Sequence, residues 1–213
     1  FEKFGIPVLN AYGQTETSGE VIGWTAHDAR EYAQAKLGSV GRPHPGVELR
    51  FVDDNLTDVP MGEVGELCVH TPTAMKTYLD GRQVDAVDGF VRTGDLGYLD
   101  DDGFVWLVGR RSDVIVCGGF KVLPEEVEEV LRQHDEVADV MVGAVPDERL
   151  GEAPHAFVVA RNPTGSLQER ELVEFARKRL AHYKAPRAVH FVDDLPRNAT
   201  GKLVRSRAAE LVE

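Results

Sequence analysis

The first half of the sequence is built from short strand-like segments that glycine and aspartate interrupt. Between Gly38 and Gly109, the segments "VELRFVDD", "GELCVHT" and "GFVWLVG" have the composition of half-buried strands. "LDDDGF" has the composition of a hairpin turn. Several short strands at such close spacing predict a small β-barrel-like or sandwich subdomain rather than a helical fold.

The pattern changes after Arg110. Pro124, followed by two glutamates, predicts the start of a helix whose apolar face is Val127, Val130 and Leu131. "VADVMVGAVP", "HAFVVAR" and "AVHFVDD" predict buried strands. A second helix is predicted behind a capping box at Ser166, and a short helix is predicted to end the chain. Together these elements predict a compact α+β domain.

Composition restricts the class of partner. The 213 residues carry a formal net charge of −12, which argues against a nucleic-acid partner or an anionic membrane surface. No apolar run approaches the roughly 20 residues of a membrane-spanning helix. The two cysteines, Cys68 and Cys117, lie in apolar strand-like segments, so we expect no disulfide and a cytoplasmic location.

The stretch "VLNAYGQTE" near the start carries residues suited to a nucleotide. Val8 and Leu9 are typical of the end of a buried strand, and the polar residues after them predict a loop that leaves it. Tyr12 offers a flat aromatic face, and Glu16 offers a hard carboxylate suited to Mg²⁺. Taken alone, a threonine-rich loop is more often a plain connection than a site.

Two further loops each have a binding interpretation and a plain one. Asp95, in "VRTGDLGYLDDDG", is predicted to lie in a glycine-flanked turn, where its carboxylate could accept hydrogen bonds from two sugar hydroxyls or from its own backbone. Lys202 ends "PRNATGK", where proline and glycine would stiffen the loop and aim the lysine at a phosphate or carboxylate. The plain interpretation of Lys202 is a solvated lysine on a surface turn.

The stretch "GRRSDVIVCGGFKV" lies where the two halves meet. Arg110 supplies a fixed fork of donors, Gly118 and Gly119 allow a close backbone approach, and Lys121 supplies a cation. The plain interpretation is a solvated arginine pair on a linker.

In this order, the loops resemble the motifs of the adenylate-forming, AMP-binding superfamily, which includes fatty-acid- and aryl-CoA ligases and adenylation domains. "YGQTE" is similar to its nucleotide loop, "RTGD" to its ribose loop, "GRRSD" to its hinge, "CGGFKV" to the glycine loop that follows, and "PRNATGK" to its catalytic-lysine loop. The resemblance covers essentially the whole chain.

The resemblance implies a division of the chain. Residues 1–109 would be the C-terminal part of the large adenylating domain with its barrel-like subdomain, residues 110–113 the hinge, and residues 114–213 the mobile domain that carries the catalytic lysine. The family's phosphate loop and most of its acyl pocket have no counterpart in these 213 residues. We therefore expect a piece that is inactive alone, whose partner is the N-terminal part of the same enzyme.

The resemblance also implies ATP or AMP, Mg²⁺ and CoA as cofactors, and a carboxylic acid as the substrate. Residues implied to contact the nucleotide are Tyr12, Gly13, Gln14, Thr15, Glu16, Asp95 and Arg110. Tyr12 would stack on adenine, Thr15 would bond the α-phosphate and Glu16 would hold Mg²⁺. Asp95 would take the ribose hydroxyls, with Arg110 beside it.

The remaining implied roles belong to the second half. Lys202 would bridge the attacking carboxylate and the phosphate, and Lys121 would lie near the phosphate. Gly118 and Gly119 would line the tunnel for the pantetheine of CoA. The hinge position is usually aspartate or lysine in the family but is Ser112 here, so the pivot is either Ser112 or a neighbour.

Three functions remain open at this point. Only 11 residues follow Lys202, which favours a free-standing acyl-CoA synthetase over a module with a fused carrier domain. The alternatives are a stand-alone domain that activates an aryl or amino acid, and a non-catalytic nucleotide-binding piece. The acid itself cannot be chosen from these residues.

Overall fold

The computed structural model describes residues 8–162, 165 and 167–212. The chain separates into two compact units, Phe1–Arg111 and Ser112–Glu213, and each is described by itself. The helices of the described residues have at most nine residues, and none of them could cross a membrane. The predicted capping residue Ser166 lies outside the described residues.

The first unit begins with a three-stranded antiparallel sheet in the order β1-β2-β3. Its elements are β1 (Ala11–Gln14), β2 (Gly19–Gly23), α1 (Ala26–Glu31) and β3 (Arg42–Pro43). A 3₁₀ turn, Thr15–Thr17, connects β1 to β2. Gly13 must be glycine because a Cβ there would lie 2.0 Å from the carbonyl oxygen of Gly19. The two strands therefore approach each other closely at the point where the candidate nucleotide residues lie.

The second sheet of the first unit has five strands. They are β4 (Glu48–Val52), β5 (Gly65–His70), β6 (Ala86–Val87), β7 (Phe90–Leu99) and β8 (Val105–Arg110). β5 pairs with one edge of β7, whereas β6 and β8 share the other edge. The sheet is therefore only four strands wide, and its outer strand β4 does not pair with β8 in the described residues. The expected barrel-like closure is not formed, since so narrow a sheet cannot curl back on itself.

The core of the first unit joins its two sheets. Val21 and Ile22 of the first sheet are buried against three strands of the second sheet, represented by Phe51, Leu67 and Val105. This packing brings the hairpin of β1 and β2 next to β7 and β8, which carry Asp95 and Arg110.

The second unit is a five-stranded sheet with two helices. Its elements are β9 (Ile115–Cys117), β10 (Phe120–Val122), α2 (Pro124–Arg132), β11 (Val137–Asp147), β12 (Gly151–Ala160), α3 (Glu169–Arg177) and β13 (Ala188–Phe191). The sheet order is β10-β9-β12-β11, and β13 pairs in parallel with β12. The predicted strands and the first two of the three predicted helices are present, and α2 begins at Pro124 as expected.

Both faces of this sheet are covered. Val127 and Leu131 of α2 and Leu172 of α3 are fully buried on one face. On the other face, Ala208 of the C-terminal segment packs with Met141 and other sheet residues.

The prediction of a short helix at the end of the chain is wrong. Instead of one helix, two 3₁₀ turns form, at Arg205–Arg207 and Ala209–Leu211. A Cβ on Gly143 would lie 2.3 Å from the Cβ of Ala208, so the segment is pressed against the glycine of β11. The tighter turns follow this contact, with the amide of Ala208 bonded to the carbonyl of Arg205.

Candidate active site

The opening polar stretch is a strand and a turn rather than a loop. Val8 and Leu9 are exposed and lie outside any strand, which corrects the prediction of a buried strand there. The polar residues themselves form the strand β1, in which Ala11 pairs with Gly23 and Tyr12 pairs with Ile22 of β2. Thr15 and Glu16 follow on the 3₁₀ turn.

The structure brings three predicted residues together in the first unit. The hydroxyl of Tyr12 donates to Oδ2 of Asp95 at 2.6 Å, and Nε of Arg110 lies 2.9 Å from Oδ1 of the same carboxylate. Asp95 is 7% exposed. Burial and the bond to Asp95 together raise the pKa of Tyr12, so the phenol stays a donor.

Asp95 lies inside a strand, which corrects its prediction as a turn residue. It belongs to β7 and lies opposite Arg110 of β8, and its amide donates to Oγ1 of Thr93 at 3.1 Å. Gly94 adopts a φ of +72°, which lets the strand continue with an irregular backbone. Each carboxylate oxygen keeps acceptor capacity beyond its one protein partner, so the group can still receive ligand hydroxyls.

Glu16 has a partner that the sequence did not indicate. The hydroxyl of Tyr78 donates to Oε1 of Glu16, and the amide of Met75 donates to the Glu16 carbonyl at 2.8 Å. The hydrogen bond to Glu16 raises the pKa of Tyr78. Nothing in "MKTYLDG" marks Tyr78, because the contact spans 62 positions of sequence.

The donor set around Glu16 fits a magnesium ion that a nucleotide brings. Among the described residues, no three His, Cys, Asp or Glu side chains are grouped to hold a metal. Mg²⁺ is commonly held by one or two carboxylates together with substrate phosphates and water. Glu16 has one carboxylate oxygen beyond its bond to Tyr78, which is the ligand such an arrangement needs.

Gln14 has a buried donor without a partner. Its Nε2 is enclosed and makes no hydrogen bond within the described part of the chain. Buried polar atoms are nearly always satisfied, so an orphaned amide beside Tyr12 fits a site that a ligand completes.

In the second unit, Lys202 ends a firmly built turn. The side-chain oxygen of Asn198 accepts hydrogen bonds from the amides of Thr200 and Lys202 and from the Thr200 hydroxyl. The backbone adds a bond from the Asn198 amide to the Lys202 carbonyl at 2.9 Å. Lys202 is exposed, and none of the described side chains pairs with its ammonium. The turn therefore presents a cation to the exterior.

The glycine pair forms a tight hairpin between β9 and β10. Gly118 and Gly119 adopt φ values of +58° and +87°, as a two-residue turn with two left-handed residues requires. Lys121 lies on β10 with an exposed side chain. A cavity of about 220 Å³ adjoins the turn and includes Phe120 and Tyr183, whose rings stack at 4.7 Å.

The predicted hinge is a 3₁₀ turn, Arg111–Asp113. Nη1 of Arg111 donates to the buried carboxylate of Glu66 at 2.7 Å within the first unit. The hydroxyl of Ser112 donates to Oδ1 of Asp113 at 2.9 Å within the second unit.

Family models match both units of the chain. The model described as AMP-binding enzyme matches residues 1–79, and the model described as AMP-binding enzyme C-terminal domain matches residues 126–202.

The curated and structural relatives are CoA ligases and related enzymes. The 2-succinylbenzoate–CoA ligase of Bacillus licheniformis is 45% identical over 205 residues, which cover 95% of this chain and 41% of that protein. o-Succinylbenzoate CoA synthetase (MenE) from Bacillus subtilis, solved with the acyl-adenylate intermediate OSB-AMP, has a TM-score of 0.81 at 37% identity and covers 96% of this chain and 41% of its own. ATP-bound MatB from Rhodopseudomonas palustris has a TM-score of 0.85 at 32% identity, over 100% of this chain and 42% of its own.

The chain spans about two fifths of the length of the curated relatives it matches. One family model of AMP-binding enzymes matches residues of the first unit, and a second matches residues of the second unit. The chain therefore belongs to the adenylate-forming family of AMP-binding enzymes.

Proposed function

We propose that these residues form part of an ATP-dependent acyl-CoA synthetase, an AMP-forming acid–thiol ligase. The observation that carries the proposal is the buried Asp95 carboxylate, held between Tyr12 and Arg110 with acceptor capacity to spare. The names of the relatives, which are CoA ligases, support the same class of reaction.

The proposed reaction has two balanced steps. In the first step, a carboxylate oxygen bonds to the α-phosphorus of ATP while the bond to the β-phosphate breaks, which gives acyl-AMP and pyrophosphate. In the second step, the CoA sulfur bonds to the acyl carbon, AMP leaves and the thiol proton passes to solvent. The protein's contribution to both is mainly positioning and charge stabilisation.

In the first unit, the proposed roles follow the geometry of the candidate site. Tyr12 stacks on adenine while its hydroxyl holds Asp95, and Asp95 accepts from the ribose hydroxyls. Thr15 is exposed on the turn and bonds the α-phosphate. Glu16, oriented by Tyr78, ligates Mg²⁺, which would neutralise phosphate charge when bound. Gly13 and Gln14 complete the nucleotide contacts.

In the second unit, Lys202 neutralises the two anions that must approach in the first step. The Gly118–Gly119 turn lines the path of pantetheine in the second step, and Lys121 lies near the phosphate. Ser112 is the proposed hinge between the conformations for the two steps, so residues 114–213 would act as a mobile domain.

The proposed acid is an acid with an aromatic ring, of the 2-succinylbenzoate type, rather than a fatty acid. The support is that the relatives at 39–45% identity carry this name. We also propose a cytoplasmic location, which two buried, free cysteines support.

The test uses the full-length enzyme with 2-succinylbenzoate, benzoate and a fatty acid. We expect pyrophosphate exchange that depends on the aryl acid, and thioester formation only when CoA is added. Lys202→Ala should abolish exchange yet retain thioester formation from supplied acyl-adenylate, whereas Lys178→Ala, an exposed lysine of the same unit, should change neither. Adenylation without transfer to CoA would favour a stand-alone activating domain, and nucleotide binding without exchange would favour a non-catalytic protein.

A second arm uses the 213 residues alone. They contain no Ser/Thr/Gly-rich loop ending in Pro-Lys to hold the β- and γ-phosphates. A site without those groups loses most of its preference for the transition state, so we expect no acid-dependent release of pyrophosphate. Release at the rate of the full-length enzyme would contradict this part of the proposal.

A further inference from the structure

Arg205, three positions after Lys202, lies at the centre of a charge cluster in the second unit. Its guanidinium bonds both oxygens of Glu128 at 2.9–3.2 Å. Its Nη1 lies 3.2 Å from Oδ2 of Asp113, and its Nη2 lies 3.2 Å from Glu125. One side chain thus contacts α2 and the turn that contains Ser112.

Glu128 is an anchor that cannot easily move. Its side chain is 2% exposed, and its Oε1 also accepts the amide of Val142 at 2.8 Å. Arg132, one turn further along α2, adds a second cation at 3.0 Å. A buried carboxylate needs such partners, because an uncompensated charge in the interior is strongly destabilising.

Asp113 connects the cluster to the candidate hinge. One of its oxygens accepts the hydroxyl of Ser112, and the other faces Arg205. The cation three residues after Lys202 therefore also holds the residue that follows Ser112.

The other end of the lysine turn is anchored separately. Nη1 of Arg197 donates a hydrogen bond to the carbonyl of Gly201, and Nη2 donates one to the carboxylate of Asp139 on β11. The turn is thus fixed on β11 at its start and on α2 just beyond its end.

We propose that Arg205 is a positioning residue for adenylation, which holds the turn of Lys202 in place against Glu128 of α2 and against Asp113. The role rests on the proposed function of Lys202. Arg205 itself contacts no substrate, and it acts by fixing where the lysine backbone lies.

Arg205→Lys separates positioning from folding. Lysine keeps a positive charge against buried Glu128, but a single ammonium cannot bridge Glu128 and Asp113 as the planar fork does. A displacement of about 1 Å can cost roughly 100-fold in rate, so we expect adenylation kcat in the full-length enzyme to fall between about tenfold and 100-fold. The KM for ATP should change little, and thioester formation from supplied acyl-adenylate should be retained.

The matched control is Arg207→Lys, two residues further on. Arg207 pairs only with Glu210 among the described residues, and both are mostly exposed. We expect this variant to match wild type in both half-reactions. Asp113→Asn, which leaves the Glu128 pair intact, should give a smaller loss in adenylation alone.

Amide hydrogen exchange tests the positioning without any activity. The amides of residues 200–204 should exchange faster in Arg205→Lys than in wild type, and Arg207→Lys should not show this. Unchanged exchange, or equal losses in both half-reactions, would overturn the role of Arg205. A wild-type enzyme without pyrophosphate exchange would instead overturn the proposed function, and the exchange rates of the amides would still decide the placement of the turn.

Discussion

Tyr12 and Asp95 are joined by a 2.6 Å hydrogen bond although 83 positions separate them in the sequence. The bond connects the hairpin of β1 and β2 to β7. Arg110 of β8 pairs with the other oxygen of the same carboxylate. A residue proposed to meet adenine and a residue proposed to meet ribose are therefore fixed relative to each other before any ligand arrives.

Asp95→Asn should weaken ATP binding in the full-length enzyme. The substitution keeps the shape but removes the charge, and each charge-assisted hydrogen bond lost costs about 1.5–3 kcal/mol. We expect the Kd for ATP, measured by calorimetry, to rise at least about tenfold. Asp102→Asn, at an exposed turn residue that pairs with Lys36, should leave the Kd unchanged. Equal affinities for wild type and Asp95→Asn would reduce Asp95 to a structural residue.

Tyr78→Phe should raise the concentration of Mg²⁺ needed for adenylation. Phenylalanine keeps the ring that lies beneath Arg82 but loses the hydroxyl that orients Glu16. The expected effect is a few-fold increase in the half-saturating Mg²⁺, with little change at saturating metal. Tyr98→Phe is the control, because Tyr98 lies on β7, where its ring stacks on Trp106 of β8. The same Mg²⁺ dependence in both variants would contradict the role of Tyr78.

Gly119→Leu should block thioester formation more than adenylation. Any side chain at a φ of +87° is strained, at about 1–2 kcal/mol, but a Cβ there meets no atom within 4 Å in the second unit. Gly119→Ala carries the same strain with little bulk, so the difference between the two variants reports the space that the thiol arm needs. The measurement compares the rates at which the two variants form the thioester from supplied acyl-adenylate. Similar rates for the two variants would remove the turn from the proposed path of CoA.

The titration of Glu125 should contribute to the pH dependence of the free energy of unfolding. Burial is the main cause that raises the pKa of this carboxyl above its ordinary value of 4.5, and nearby Glu128 and Asp113 add to it against the opposing charge of Arg205. Because the folded state holds the proton more tightly than the unfolded chain, the stabilising contribution is full below pH 4.5 and is lost as the pH rises through the folded value.

Glu125→Gln removes this titration. The stability of the variant relative to wild type, measured by urea unfolding, should therefore increase as the pH rises from about 4 to 7. A difference that is constant across this range would show that Glu125 titrates normally.

Local signals in the sequence predicted much of the second unit. The start of α2 is marked by Pro124 in its first turn and by acidic residues next to it, and the spacing of Val127 and Leu131 identifies the buried face. These signals act within one helix, so they are readable without knowledge of the partner.

The errors arise where a distant segment decides the local structure. Asp95 has the glycine neighbours of a turn, but its strand β7 pairs with both β5 and β8, and Asp95 itself pairs with Arg110. The spacing of Val204, Ala208 and Leu211 predicts a closing helix, but contact with Gly143 favours tighter turns. The site partner Tyr78 could not be found for the same reason, since its only signal is a long-range contact.

The turn held by Asn198 limits the conformational entropy that the protein loses when Lys202 binds a ligand. Because the turn's amides are already bonded to Asn198, engaging the ammonium requires the ordering of four side-chain torsions and no ordering of backbone. That rotamer entropy amounts to about 2 kcal/mol, whereas each backbone residue ordered on binding would add a further 1–2 kcal/mol or so. A long flexible side chain on a rigid base can thus search for a moving anion at low entropic cost.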